Sequence, residues 1–265
     1  MNIPVGGLEY SIGSEQVKGR GYSWTSLELN SALSGPIAEI VFDDAGKAEV
    51  EPLLLGVAET DFQKDEVERI LGNGKPPEDW RVGEALAEGY LVNNRKCFFP
   101  WPDGRDERKS GSSLPGADLV GFQFDDGDDY FAFGEVKTSS ESKYPPGAMY
   151  GRTGLKQQLE DIKDSEEIKD DLLIYLAYRA ANAPWKKRWQ RAAGNYLQNK
   201  NSIRVFGFLV RDVPPHPDDL QVRVEKLSQN RRTGMKIELL AVYLPPDSIS
   251  SLSEKVVNSR SGGAG

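Results

Sequence analysis

The sequence predicts an α/β protein in which helices flank a central mixed β-sheet. Three observations predict it. Residues Gly116 to Ser140, GADLVGFQFDDGDDYFAFGEVKTSS, read as two apolar strands around an acidic turn. Two later runs, Ile203 to Val210 and Lys236 to Leu244, are apolar and rich in β-branched or aromatic residues, as strands are. Before and between them lie segments with helix start and stop signals.

Taken in order, Ala38 to Phe42 reads as a strand leading to a turn at Asp43-Asp44-Ala45-Gly46, and Glu49 to Val57 as another strand. Asp61 to Leu71 reads as a helix, with Thr60 or Asp61 as N-cap and Gly72 as stop. Pro76-Pro77 opens the next helix, and Arg95 to Pro100 forms a short strand. Glu107 to Pro115 is a polar Ser/Gly loop delivering the chain to Asp118. Tyr144-Pro145-Pro146-Gly147 breaks structure before a helix from about Thr153. Leu172 to Tyr178 fits a strand or a helix equally. The expected organisation is a region 1–75 without an assigned role, a core at 76–247 and a flexible tail at 248–265 that ends in SRSGGAG.

The acidic turn fixes which side chains meet. With Asp126-Gly127 as a two-residue loop, Asp118 falls opposite Glu135; with Gly127-Asp128, it falls opposite Lys137. Side chains alternate along a strand, so both registers put Asp118, Glu135 and Lys137 on one face. A three-residue loop would reverse that parity. Two carboxylates can give oxygen ligands to Mg2+ or Mn2+, which polarises a phosphate and acidifies a bound water. A lysine beside them can position that water and offset charge developing on the phosphate. Glu-x-Lys alone is an ordinary surface pattern; the upstream Asp and the shared face give it meaning.

Gly116-Ala117-Asp118 followed by Gly134-Glu135-Val136-Lys137 resembles the core of the PD-(D/E)xK nuclease superfamily. The resemblance covers about Trp80 to Asp161, with looser support to Pro245. It implies a restriction-endonuclease-like core and a Mg-dependent nuclease acting on nucleic acid, with DNA as the expected substrate. It further implies a glutamate on the preceding helix, for which Glu84 in RVGEALAEGYL is the better candidate, as a third metal-side carboxylate beside Asp118 and Glu135. Glu84 and Glu88, four residues apart, would otherwise be an ordinary solvated pair. On the following helix, LKQQLE, Gln158 is favoured as a catalytic residue and Gln157 is the alternative. Ala117 stands in place of the family's proline. Ile162 stands where RecB-like members often carry tyrosine, which argues against that branch. More loosely, IRVFGFLVRDVP together with this core resembles nucleases of bacterial antiphage defence, including the Hachiman type. That resemblance implies a helicase-like or ATPase partner and an antiviral role.

Charge is segregated. The total is −8, yet Leu172 to Arg211 holds no Asp or Glu and carries Arg179, Lys186, Lys187, Arg188, Arg191, Lys200, Arg204 and Arg211. Such a window is the expected footprint of a polyanion, with Arg179, Lys186, Lys187, Arg188 and Arg191 as its nucleic-acid contacts. Trp185 and Trp189, in WKKRWQR, share a helix face; that face either packs in the core or stacks on unpaired bases.

Absences narrow the field. His216 is the only histidine, which argues against multi-histidine zinc sites, histidine-centred triads and HNH nucleases. Gly72-Asn73-Gly74-Lys75 lacks the upstream glycine of a phosphate-binding loop and reads as a turn, so no ATP site is expected in this chain. No apolar run approaches the ~20 residues of a membrane span. The start MNIPVGGLEYS carries no secretory pattern. A single cysteine, Cys97, fits a reducing cytoplasm. Three alternatives stand beside the enzyme: a catalytically silent nuclease-fold subunit that binds DNA, a restriction-type sequence-specific endonuclease, and a carboxylate-based hydrolase of other substrates. The intact Asp118, Glu135 and Lys137 set favours the metal-dependent nuclease.

Overall fold

The computed structural model describes residues 2–72, 76–101, 116–229 and 232–261. Its strands are β1 (Gly7–Gly13), β2 (Val17–Ser23), β3 (Cys97–Phe98), β4 (Leu119–Asp125), β5 (Asp128–Ser139), β6 (Ile203–Arg211) and β7 (Lys236–Tyr243). They form one mixed sheet in the order β1-β2-β7-β6-β5-β4-β3. β2, β7, β6 and β5 are parallel neighbours, while β1 and the β3–β4 side add antiparallel edges. β6 is buried along its whole length, as a central strand covered on both faces must be.

Helices supply those covers. On one face lie α1 (Ser26–Leu33), α2 (Pro36–Val41), α5 (Asp79–Arg95) and α10 (Leu252–Ser261). Their Leu33, Ile37, Leu86 and Leu252 pack with Val136, Phe208 and Leu240 of the sheet. On the other lie α6 (Leu155–Asp164), α7 (Glu166–Ala180), α8 (Lys186–Gln198) and α9 (Gln221–Gln229). Here Leu159, Leu176, Tyr196 and Val224 meet Phe131, Phe133, Leu209 and Leu239. The alternation of β5 between the two clusters, Phe131 and Phe133 against Ala132 and Val136, is the period of two expected of a strand.

Several expectations change. Ala38 to Phe42 is not a strand: Pro36 opens α2 at its first turn, and Ile37 and Ala38 are buried in the core. Glu49 to Val57 lies in and just beyond α3 (Asp44–Leu55), where Asp43 acts as N-cap and its Oδ1 accepts from Gly46 N at 3.2 Å. Short apolar runs carry no period that separates strand from helix. Leu172 to Tyr178 belongs to α7. Of Arg95 to Pro100 only Cys97–Phe98 pairs as a strand. Residues 1–75 contribute β1 and β2 to the same sheet, because β2 pairs with β7 throughout. Nor is the stretch after Ser248 a frayed tail: Ile249–Ser251 forms a 3₁₀ turn into α10, whose Leu252 and Val256 are fully buried. The helix α4 (Asp61–Leu71) starts as expected, with Thr60 and Gln63 in a reciprocal capping box. The Glu107–Pro115 loop, residues 73–75 of the expected turn and residues 262–265 lie outside the described residues. Among the described residues no helix is long and apolar enough to cross a membrane.

Candidate active site

The β4–β5 hairpin turns at Asp126-Gly127. Both residues have positive φ, 49° and 86°, which a type I′ turn requires. Asp125 pairs with Asp128 and Leu119 with Gly134, so the register carries Asp118 opposite Glu135. Asp118 closes this end of the hairpin, its Oδ2 accepting from Val136 N at 2.8 Å. Lys137 Nζ donates to Glu135 Oε1 at 2.6 Å. The three side chains line one cleft of about 420 Å³. Trp80 and Glu84 of α5 form part of its wall, with Thr153 and Gln158, at and before α6, on another side.

Glu135 is fully buried. Burial first, and the nearby Asp118 carboxylate second, push its carboxyl up to about 8 against the opposing pull of Lys137. Its Oε2 receives no hydrogen bond from a donor among the described residues and has the Asp118 carboxyl beside it, with which it can share a proton; the buried Oε1 of Gln158 is likewise without a donor. A buried carboxylate oxygen without a donor suits a hard cation, and Asp118 with Glu135 is the one-or-two-carboxylate set that Mg2+ uses.

The expected third carboxylate does not join them. Glu84 lines the cleft, but its Oε2 accepts from Arg81 Nη1 at 2.9 Å, one turn earlier on α5. Among the described residues no three of His, Cys, Asp and Glu gather as a metal-holding group. Gln157 donates to Asp161 at 2.7 Å, which leaves Gln158 as the glutamine of the cleft.

Gly83 sets how closely α5 approaches β5. A Cβ there would lie 2.1 Å from Thr138 Oγ1. Alanine normally favours a helix interior over glycine by about 1 kcal/mol. Here we expect Gly83→Ala to destabilise by about 1–3 kcal/mol and to shift the wall carrying Glu84. Thermal melts check this, with Thr138→Ala added to Gly83→Ala expected to recover most of the loss. A stabilised Gly83→Ala would show the contact to be soft.

The basic window is largely neutralised within the fold. Arg188 Nε and Arg191 Nε each donate to the buried Asp129 at 2.9 Å. Lys200 pairs with Asp170, Arg204 with Asp125, and Arg211 with Asp219. Arg179 lies over the Tyr175 ring at 3.7 Å and donates to the Tyr175 carbonyl at 2.8 Å. Arg188 and Arg191 thus anchor α8 to the acidic hairpin turn, with the Arg191 side chain still half-exposed. Lys186 and Lys187 are exposed, Lys186 donating to the Ala181 carbonyl at 3.1 Å. Trp185 and Trp189 pack against the core, and Trp189 donates to the Leu173 carbonyl at 3.4 Å.

Two residues here have roles that the sequence reading did not assign. Arg211 is fully buried and donates to the carbonyls of Ser139, Glu141 and Lys143 at 2.7–2.9 Å, holding the chain where it leaves β5. Trp80 stands at the cleft beside the carboxylates; only its four-residue spacing from Glu84 could have suggested this. No family model matches the chain, and no curated protein matches it.

Proposed function

We propose that this protein is a Mg2+- or Mn2+-dependent nuclease with a restriction-endonuclease-like core, hydrolysing phosphodiester bonds of DNA. The observation that carries the reading is the convergence of Asp118, Glu135 and Lys137 on one cleft, with a buried oxygen of Glu135 left without a donor. A bound divalent ion would supply Lewis-acid polarisation of the phosphate and a more acidic water. Asp118 and Glu135 would hold that ion. Lys137 spends one N–H on Glu135, is partly exposed to the cleft, and keeps further donors for the attacking water or a phosphate oxygen. Gln158 would orient groups on the α6 side. Purified protein with DNA presented as single strands, as linear duplex and as plasmid, with and without Mg2+ or Mn2+, tests the reading. We expect cleavage that EDTA stops; cleavage undiminished in EDTA would overturn the metal-dependent mechanism, and no cleavage with either metal on any nucleic acid would favour the silent binding subunit.

The remaining open cations set the nucleic-acid contact. Replacing Lys186 and Lys187 with alanine should weaken DNA binding uniformly across sequences and lower the slope of log affinity against log salt by about 1–2. An unchanged slope would assign them to a protein-facing surface. Arg188→Ala should instead cost stability, because it strips the buried Asp129 of a partner.

We further propose an effector role in antiphage defence under control of a helicase-like or ATPase partner. The resemblance in the core motifs and in Ile203 to Pro214 supports the role. The α3–α4 pair supports the partner: Leu53 and Phe62 are 73% and 79% exposed, with exposed Glu49, Glu51, Asp61 and Asp65 near them in the sequence. The partner should co-purify with the chain from its native host and suppress cleavage. A chain that co-purifies with nothing and cuts one defined sequence would be a restriction-type enzyme.

A further inference from the structure

We infer that Trp80 is a base-stacking platform, and that the substrate presents an unpaired base beside the scissile phosphate. The substrate class is therefore single-stranded nucleic acid, or an end or flap, and not the interior of an intact duplex. This inference rests on the nuclease reading of the same cleft.

Trp80 lies in the first turn of α5, one turn before Glu84 and on the same side of the helix. The apolar residues that follow it, Val82, Leu86 and Tyr90, are buried to 2% exposure or less, whereas Trp80 is 39% exposed. It belongs to neither core cluster. Its indole faces the cleft that holds Asp118, Glu135 and Lys137, and it is the single aromatic among the described residues lining it. Once a phosphate engages those three groups, its sugar and base must lie along the walls. Among the described residues the α6 side offers the polar Thr153 and Gln158, and the α5 side offers a ring.

A cleft of about 420 Å³ is on the scale of a small-ligand pocket, with room for one nucleotide beside the ring. Within a duplex both faces of each base are covered by neighbours, so an indole can stack only on a base that has left the helix or was never paired. Stacking tolerates any base, which gives a preference for strandedness without a preference for sequence.

Binding of the full chain tests this, with calcium replacing magnesium to hold back cleavage, by fluorescence anisotropy. The probes are an oligothymidine of roughly 15 nucleotides and a mixed-sequence duplex of about the same length. Trp80→Ala should weaken the single-strand complex about 5- to 100-fold and leave duplex affinity unchanged. Trp80→Phe, which keeps a ring, should restore most of the loss. Equal weakening of both probes, no weakening of either, or a Trp80→Phe variant as poor as Trp80→Ala would overturn the stacking role while leaving the nuclease reading intact. A wild-type chain that binds neither probe, and cuts neither in magnesium, would overturn the nuclease reading itself.

Discussion

Alanine at Asp118, Glu135 or Lys137 should nearly abolish the proposed metal-dependent cleavage while the fold survives. For Lys137 the expected loss is on the order of 10²–10³-fold, the scale for removing one donor aimed at developing charge. For the carboxylates it is at least as large, since each takes away part of the set that would hold the ion. Asp118→Asn separates two roles of one side chain. Asparagine can still accept from Val136 N, the 2.8 Å contact that closes the hairpin, but it brings no charge. A variant that melts like wild type and does not cut assigns Asp118 to the metal. One that cuts normally would reduce Asp118 to a structural brace and remove the main support for the nuclease reading. Initial rates on single-stranded DNA across a Mg2+ titration, beside matched thermal melts, decide between them.

What could be read from the sequence was whatever is set locally. Either two-residue loop, Asp126-Gly127 or Gly127-Asp128, puts Asp118 on the face of Glu135 and Lys137 without any tertiary information, and the structure adopts the first, with Asp118 opposite Glu135. β6 and β7 are legible because central strands are apolar throughout, and α4 because Thr60 and Gln63 announce its start. What could not be read depends on partners far along the chain. β1 and β2, GLEYSIG and VKGRGYS, are too polar and glycine-rich to declare themselves, and β2 is a strand because β7 pairs with it. α10 is polar apart from the few apolar residues it buries against the core. Charge counted along the sequence is blind to pairing: Asp125, Asp128 and Asp129 of the hairpin turn face Arg204, Arg191 and Arg188, which offsets part of the positive charge of that window. The helix carrying Glu84 was placed correctly, but Arg81 taking its carboxylate is a rotamer-level event that spacing does not reveal.

Glu135→Gln should make the metal-free protein more heat-stable at alkaline pH, although it removes a ligand. In the folded chain burial and Asp118 raise the Glu135 carboxyl from 4.5 to about 8. Between those values the unfolded chain has released a proton that the folded chain still holds, so raising the pH favours unfolding. The stability carried by the neutral acid is full below the unfolded value and has gone once the pH passes the folded one. A shift of that size corresponds to on the order of 5 kcal/mol. Glutamine has the same shape, keeps an oxygen for Lys137 Nζ and cannot ionise. In EDTA the melting curves of wild type and Glu135→Gln should therefore nearly coincide around pH 5 and separate progressively toward about pH 8, with the variant higher. Mg2+ should reverse the order. It would bind the ionised carboxylate, so its stabilisation of wild type should grow with pH over the same window, accompanied by proton release, while the variant gains little. Melting temperatures that run parallel across the range, or a variant less stable at every pH, would mean that Glu135 ionises in the folded chain much as it does in the unfolded one. The buried carboxylate would then not be held protonated in wait for a cation.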